Sequence, residues 1–205
     1  MKLYYAPGAC SLAPHIVARE ANLPIDLVKV DLAARKTEAG EDYAAVNPKG
    51  YVPALRLDDG QVLTEAATLV QYLADQAPQS GLAPKWGTME RYRLVEWLTF
   101  ISSEVHKGFG PLWNPNTPEA AREIAKANLA KRFGYLDKHL ADKKFLTGER
   151  FTIADAYLFT VVNWVNFHRI DLAPYKHLKA YMDRVAARSK VREAMMAEGL
   201  VKKAA

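Results

Sequence analysis

The first 32 residues alternate between strand and helix patterns, and this alternation restricts the possible folds more than any other feature. Leu3 to Tyr5 is a short apolar run that stops before Pro7. Apolar residues then recur at helical spacing from Leu12 to Ala21, and Leu27 to Leu32 alternates as strands do. Because two strands joined by a helix pair in parallel through a right-handed crossover, the sequence predicts a βαβ unit.

The junction between the first strand and the first helix contains the only cysteine of the chain, Cys10. Ser11 follows as a predicted N-cap, and Pro14 lies in the first helical turn, where no intrahelical N–H is needed. A helix N-terminus lowers the pKa of a thiol, and its free N–H groups attract anions. A lone cysteine elsewhere is a small core residue, but this exposed junction predicts a functional thiol.

Two further strands and a helix are predicted between residues 33 and 72. A polar segment extends from Ala33 to Asn47, and a strand starts after Pro53. Asp58 to Gly60 is a hairpin turn into the returning strand, and a helix opens near Glu65. Proline cannot donate to a strand ladder, so Pro53 is either an edge residue or part of a cis Val52–Pro53 bond that exposes the Val52 backbone to a ligand.

The composition changes across residues 78–85, which are rich in proline, glycine and serine and typical of a linker. We therefore predict an α/β domain over residues 1–77 and an all-helical domain over residues 86–205. Thr152 to Asp155 has capping-box spacing before a helix that is apolar nearly all round, so this helix is expected at the centre. Thr117 is predicted to cap another helix, with Pro118 at its first helical position, and Leu178 to Val185 marks the last helix.

Two apolar stripes in the helical half are predicted to be buried, and a polar stripe runs beside the first of them. The polar stripe contains Thr99, Ser103 and His106. The apolar stripes are Leu94, Leu98, Ile101, Val105 and Phe109 in one helix, and Leu129, Phe133, Leu136 and Leu140 in the next.

Charge and residue counts exclude several classes of function. The chain has 28 basic and 23 acidic side chains, a net charge of +5, and its basic residues are dispersed. This favours small anionic ligands over nucleic acid, whose binders concentrate positive charge on one face. One cysteine excludes a disulfide framework and a cysteine-based zinc site. No metal site is expected, and four histidines without partners at ligand spacing are interpreted as structural: His15, His139, His168 and His177.

The apolar runs are too short for a membrane protein. None approaches the roughly 18 residues of a membrane span, and the N-terminus reaches Pro7 before a signal-peptide core could form. The sequence therefore predicts a cytoplasmic protein that does not bind membranes.

These landmarks, in this order, resemble the cytosolic glutathione transferases over almost the whole chain. The shared features are a thioredoxin-like first half, Val-Pro before the third strand, a glutamate that opens the next helix, a capping box and an all-helical second half. Tyr4 to Ser11 and Ser103 to Lys107 are similar to the bacterial beta class. The resemblance implies an α/β thioredoxin-like N-terminal domain that binds glutathione, followed by an all-α C-terminal domain.

The resemblance also implies a glutathione site on the matching positions. The ligand's sulfur would lie near Cys10, its cysteinyl backbone would pair with Val52, and Pro53 would be cis. Its γ-glutamyl group would meet Glu65 and the amides at Ala66, where the family usually has Ser or Gly and this chain has no hydroxyl. The other implied contacts are Arg35 or Lys36 for the glycyl carboxylate, and Thr99, Ser103, Glu104, His106 and Lys107 from the helical domain or from a dimer partner.

The implied activity is conjugation of glutathione, as co-substrate, with small apolar electrophiles by a homodimeric enzyme. Cys10, Ser11 and His106 would help to form the glutathione thiolate. The electrophile would occupy an apolar pocket lined by Tyr5, Phe109, Pro111, Trp113 and Trp164.

Two other functions remain open on the residues alone. In the first, Cys10 forms a mixed disulfide with glutathione and exchanges it onto other thiols. Only a monothiol route is available, because Ala13 stands where a Cys-x-x-Cys motif has its second cysteine. In the second, the chain is a non-catalytic glutathione-binding scaffold, although the presence of Cys10, Glu65 and the polar stripe together argues against it.

Overall fold

The computed structural model describes residues 1–202, and its first part contains a five-stranded mixed sheet. The strands are β1 (Lys2–Tyr5), β2 (Asp26–Asp31), β3 (Lys36–Thr37), β4 (Ala54–Arg56) and β5 (Val62–Thr64), in the order β3-β2-β1-β4-β5. β1 and β2 are parallel, with Leu3 opposite Leu27, and the other neighbouring pairs are antiparallel. The predicted βαβ unit and the β4–β5 hairpin are confirmed.

The short strand β3 is not predicted by the sequence. Lys36 and Thr37 lie within the segment interpreted as polar, yet they pair with Asp31 and Val30 of β2. Two residue pairs are too few to produce a visible alternation of apolar and polar side chains. The backbone of β2, which would otherwise be an open sheet edge, determines this pairing.

The helices within residues 1–202 belong to both halves of the chain. They are α1 (Leu12–Glu20), α2 (Ala66–Gln76), α3 (Met89–Phe100), α4 (Gly110–Trp113), α5 (Glu119–His139), α6 (Ile153–Val162), α7 (Val165–His168), α8 (Lys176–Ala186) and α9 (Ser189–Ala197). A π-helical turn over Ile101–His106 follows α3 directly. Within this described part of the chain, no helix is both long and apolar enough to cross a membrane.

The chain divides into two compact units that differ from the predicted domains at the C-terminal end. The first contains Met1–Ala83 together with the segment that starts at Ala187, and the second contains Pro84–Ala186. Within the first unit α9 packs against α1. The sequence patterns end with α8, because the buried residues of α9 (Val191, Ala194 and Met195) form too short a stripe to be recognised.

The second unit is built around α6, whose ten residues are all buried. The predicted capping box is present at its start. The Asp155 carboxylate accepts hydrogen bonds from the Thr152 backbone N–H (2.8 Å) and hydroxyl (2.9 Å). It also accepts from the Leu146 N–H at 2.9 Å and the Tyr181 hydroxyl at 3.0 Å. These bonds satisfy a buried carboxylate and fix where the central helix begins.

The predicted apolar stripes are buried, but the cap predicted at Thr117 does not form. Every residue of the stripes from Leu94 to Phe109 and from Leu129 to Leu140 is at most 4% exposed. α5 begins at Glu119, so Pro118 precedes the helix, and no side-chain cap is made. Pro118 has an extended ψ of 145°, and the residue before a proline is itself disfavoured in the helical region.

Candidate active site

Cys10 lies in the loop between β1 and α1 and is half-buried. Its thiol donates a hydrogen bond to the backbone carbonyl of Val52 at 3.2 Å. The loop itself is closed by a backbone hydrogen bond of 3.1 Å from the Ala9 N–H to the Ala6 carbonyl. The structure thus places the thiol of Cys10 beside Val52. Both are predicted site residues, and they are 42 positions apart in the chain.

Ser11 precedes α1, but its hydroxyl does not cap the helix as predicted. The residue is fully buried, and its Oγ accepts from the Ala6 N–H and donates to the Ala6 carbonyl, both at 3.2 Å. Its backbone is already helical, with φ −63° and ψ −19°, so the side chain cannot fold back over the first turn. In this structure the hydroxyl stabilises the loop before Cys10, and its predicted catalytic role stays a prediction.

The same loop is held by a carboxylate from the far end of the chain. Glu198, directly after α9, accepts from the Gly8 N–H at 2.9 Å and pairs with His15 Nδ1 at 2.9 Å. Both side chains of the His15–Glu198 pair are fully buried. His15 is therefore structural, as interpreted from the sequence, but it does have a carboxylate partner. That partner lies 183 positions away, where no spacing pattern could indicate it.

The segment that enters β4 has the geometry implied by the resemblance. The Val52–Pro53 peptide bond is cis, and both residues are buried. Ala66 is the first residue of α2 and is 5% exposed. Because the first N–H groups of a helix have no intrahelical acceptor, the start of α2 offers donors for an anion.

Glu65, directly before α2, is the centre of a polar cluster at the surface. Its Oε1 accepts from Lys49 Nζ at 2.7 Å and from the Tyr51 hydroxyl at 2.6 Å. Lys49 Nζ also donates to Thr64 Oγ1 at 2.9 Å. The hydrogen bonds to Glu65 raise the pKa of both Lys49 and Tyr51. Glu65 has a φ of +70°, a costly conformation for a residue with a side chain, which is retained where a precise placement matters.

Arg35 and Lys36 lie at the opposite edge of the sheet from β5. Arg35 is exposed with a φ of +53°, and Lys36 is exposed in β3 opposite Asp31. That one of these two cations meets the glycyl carboxylate stays a prediction, and both are accessible on this edge.

In the second unit, His106 is held by the central helix. Its Nδ1 lies 2.7 Å from the hydroxyl of Tyr157, a residue of α6 that is 2% exposed. The imidazole also contacts the Trp164 ring edge-on, with the centroids 4.9 Å apart. These two contacts give His106 a defined orientation on the π-helical turn.

The other predicted polar residues of this unit are on or beside the same turn. The hydroxyls of Thr99 and Ser103 donate to the carbonyls four residues earlier, both at 2.9 Å, and both side chains are exposed. Glu104 pairs with Arg132 at 2.5 Å, and Lys107 is exposed. The hydroxyls and Lys107 remain accessible to a ligand, whereas Glu104 already has a cationic partner on α5.

The aromatic residues predicted for the electrophile form a cluster in the second unit, apart from Tyr5, which belongs to β1. Trp164 contacts Phe109 and Trp113 edge-on, with centroid distances of 5.5 and 5.4 Å. Phe109 is fully buried and Trp164 is 4% exposed, whereas Trp113 is 47% exposed and Pro111 is partly exposed. Trp113 is thus the aromatic side chain of this cluster that presents most surface.

Sequence reasoning missed four residues that support these groups: Lys49, Tyr51, Tyr157 and Glu198. Each acts through a side-chain contact between elements distant in the chain, and none lies in a recognisable motif. In the described residues, no group of His, Cys, Asp and Glu side chains is arranged to hold a metal ion.

Comparison with known proteins identifies both halves of the chain. Residues 8–76 match the family model "Glutathione S-transferase, N-terminal domain", and residues 100–189 match "Glutathione S-transferase, C-terminal domain". The glutathione S-transferase GstA of Escherichia coli O157:H7 is 49% identical over 200 residues, which cover 98% of this chain and 100% of that protein.

Solved structures agree over the same length. A sphingomonad glutathione S-transferase complexed with glutathione has a TM-score of 0.95 at 49% identity, over 98% of this chain and 100% of that one. The bacterial beta class enzyme of Sphingomonas chungbukensis has the same TM-score, identity and coverage. This chain therefore belongs to the glutathione S-transferase family, within the bacterial beta class.

Proposed function

We propose that the protein lowers the pKa of glutathione's thiol and presents the thiolate to small apolar electrophiles. The observation that carries this proposal is the position of Cys10, which lies just before α1 and contacts Val52. The chain is also similar, over 98% of its length, to an enzyme solved with glutathione. Stabilising a thiolate by about two pKa units corresponds to ~2.7 kcal/mol. The Cys10 thiol, the amides at the start of α1 and His106 are the donors that would supply it.

Glutathione would extend from Cys10 and Val52 to Glu65 at the start of α2. Its γ-glutamyl ammonium requires an anionic acceptor, and Glu65 is a carboxylate that is 54% exposed. Arg35 or Lys36 would meet its glycyl carboxylate, and Ala66 would donate only through its backbone. This division assigns glutathione to residues 1–77 and the electrophile to residues 86–205.

The electrophile would contact the aromatic cluster of the helical unit. Trp113 and Pro111 are accessible there, and Trp164 joins them to His106. The buried Phe109 would support these rings from behind. Flat apolar electrophiles such as halogenated nitroaromatics suit aromatic walls.

A homodimer is part of the proposal. Exposed aromatic side chains support it, because Tyr92 on α3 and Tyr135 on α5 are both more than half exposed. Light scattering at micromolar concentration should give about twice the mass of one chain, and the mass of a single chain would contradict the dimer.

The second candidate is thiol–disulfide exchange, which the half-buried, solvent-reachable Cys10 favours. One experiment separates the two functions. Cys10→Ala should abolish glutathione-dependent disulfide exchange, because no other cysteine can attack, but should leave conjugation measurable, reduced less than about a hundredfold. Loss of conjugation with unchanged glutathione affinity would show that Cys10 is essential for thiolate formation.

A further inference from the structure

The carboxylate of Glu65 already has a cationic partner in the protein. Lys49 Nζ lies 2.7 Å from Glu65 Oε1 and 2.9 Å from Thr64 Oγ1. The Tyr51 hydroxyl donates to the same Oε1 at 2.6 Å. The ammonium group of a ligand that approaches this oxygen therefore meets a lysine beside it.

The position of Lys49 is set by the backbone of its loop. Its N–H donates to Asn47 Oδ1 at 3.2 Å, and the Gly50 N–H closes a turn on the Asn47 carbonyl at 2.9 Å. Asn47 is buried, and its Nδ2 donates to the Tyr51 carbonyl at 2.7 Å. The Tyr43 hydroxyl donates to the same carbonyl at 3.0 Å. This supported turn fixes the backbone of Lys49, and the hydrogen bonds to Glu65 and Thr64 place its ammonium beside the start of α2.

We propose that Lys49 recognises the α-carboxylate of glutathione's γ-glutamyl group, so that Lys49 and Glu65 together bind the zwitterionic amino-acid end of the ligand; this rests on the proposed function. The ammonium and carboxylate of that end are attached to the same carbon. When the ammonium takes Glu65 Oε1, Lys49 receives the carboxylate in exchange. All four charges then remain paired within one small cluster.

Charge balance supports this exchange over a simple displacement. Two cations on one carboxylate repel each other, so an ammonium alone would bind Glu65 poorly while Lys49 is present. A ligand that brings its own carboxylate removes that repulsion. Ala66 can give the ligand's carboxylate a backbone N–H but no hydroxyl, so a second donor such as Lys49 is required there. A lysine is a suitable point charge for an anion at a helix start.

The test uses calorimetry on the full chain with two ligands. One is S-methylglutathione, and the other is its analogue with a 4-aminobutanoyl group in place of the γ-glutamyl group, which lacks only the α-carboxylate. The S-methyl group prevents exchange with Cys10. The variants are Lys49→Met, Lys49→Arg and, as a matched control, Lys144→Met. Lys144 is also exposed and pairs with a glutamate, Glu149, at 2.7 Å. Circular dichroism checks that each variant is folded.

We expect wild type to prefer S-methylglutathione over the decarboxylated analogue by about tenfold or more. Lys49→Met should weaken S-methylglutathione binding about tenfold and reduce the preference for it over the analogue below about threefold. Lys49→Arg should keep most of that preference, and Lys144→Met should keep all of it. Unchanged or tighter binding of S-methylglutathione to Lys49→Met would overturn the inference, since the lysine would then only occupy Glu65. Equal weakening of both ligands would overturn it too. Failure of wild type to bind either ligand would refute the proposed function itself.

Discussion

The starts of α6 and α2 each have an acidic side chain, and the two carboxyl groups differ in burial and in partners. At α6, Asp155 is fully buried and accepts hydrogen bonds from Thr152, Leu146 and Tyr181. At α2, Glu65 is 54% exposed and pairs with Lys49 at the surface. A buried carboxyl group whose oxygens are all occupied by the protein's own donors serves to fix the local structure. An exposed carboxylate can exchange its partners for those of a ligand.

The largest expected effect is the loss of the buried carboxylate. Asp155→Ala leaves the Leu146 N–H and the Tyr181 hydroxyl without their acceptor, so the free energy of unfolding should fall by on the order of 4 kcal/mol. Urea denaturation measures it. Asp142→Ala is the control, because Asp142 is an exposed partner of Lys143 and should change stability little. A loss no larger than that of the control would remove the distinction between the two helix starts.

The pH dependence of stability tests the same contrast. Burial raises the pKa of Asp155 from 3.8 to about 6, although the hydrogen bonds from Leu146 and Thr152 act in the opposite direction. The native state therefore binds this proton more tightly than the unfolded state does. The tighter binding of this proton stabilises the native state fully below pH ~4. This stabilisation is lost as the pH rises through 6, so the free energy of unfolding should fall by up to ~3 kcal/mol.

The comparison of wild type with Asp155→Asn isolates this group, because asparagine does not ionise. The difference between their unfolding free energies should shift in favour of the variant between pH 4 and pH 7. A difference that stays constant over this range would show that the carboxyl group does not titrate there in the native state.

Removal of the exposed carboxylate should affect binding more than folding. Glu65→Ala should weaken glutathione binding roughly ten- to 150-fold, because a charge-assisted hydrogen bond to the ligand's ammonium is lost. Its midpoint in urea should stay close to that of wild type. Glu149→Ala serves as the control, since Glu149 is an exposed acid paired with Lys144. If glutathione affinity by calorimetry is unchanged, Glu65 merely complements the dipole of α2.

The smallest effect is expected from two tyrosines that separate the roles of the second unit. Tyr157→Phe removes the hydroxyl that orients His106, so kcat for conjugation should fall roughly three- to tenfold, with KM for glutathione little changed. Tyr181→Phe removes a donor to Asp155 and should lower stability instead. Equal kcat values for both variants would argue that the Tyr157 hydroxyl is only structural.

Local patterns predicted the features that depend on neighbouring residues. The alternation in the first 32 residues indicated the parallel pair of β1 and β2, and the spacing of Thr152 and Asp155 indicated the start of α6. The family resemblance added the cis Val52–Pro53 bond. The cap predicted at Ser11 failed because the hydroxyl found its partners in the preceding loop, at Ala6. A short polar side chain has several local acceptors, and spacing does not decide among them.

The sequence by itself determined the parallel strand pair, the hairpin, the central helix and the position of the only cysteine in the loop before α1. Periodic burial and helix capping depend on residues that are close together in the sequence. Only the tertiary structure decided which side chains support the site. Glu198 reaches Gly8 from 190 positions away, Tyr157 reaches His106 from 51, and Lys49 reaches Glu65 from 16. Such contacts arise when packing brings distant elements together and hydrogen-bond geometry then selects the partners. The periodicity of a sequence does not predict these partners.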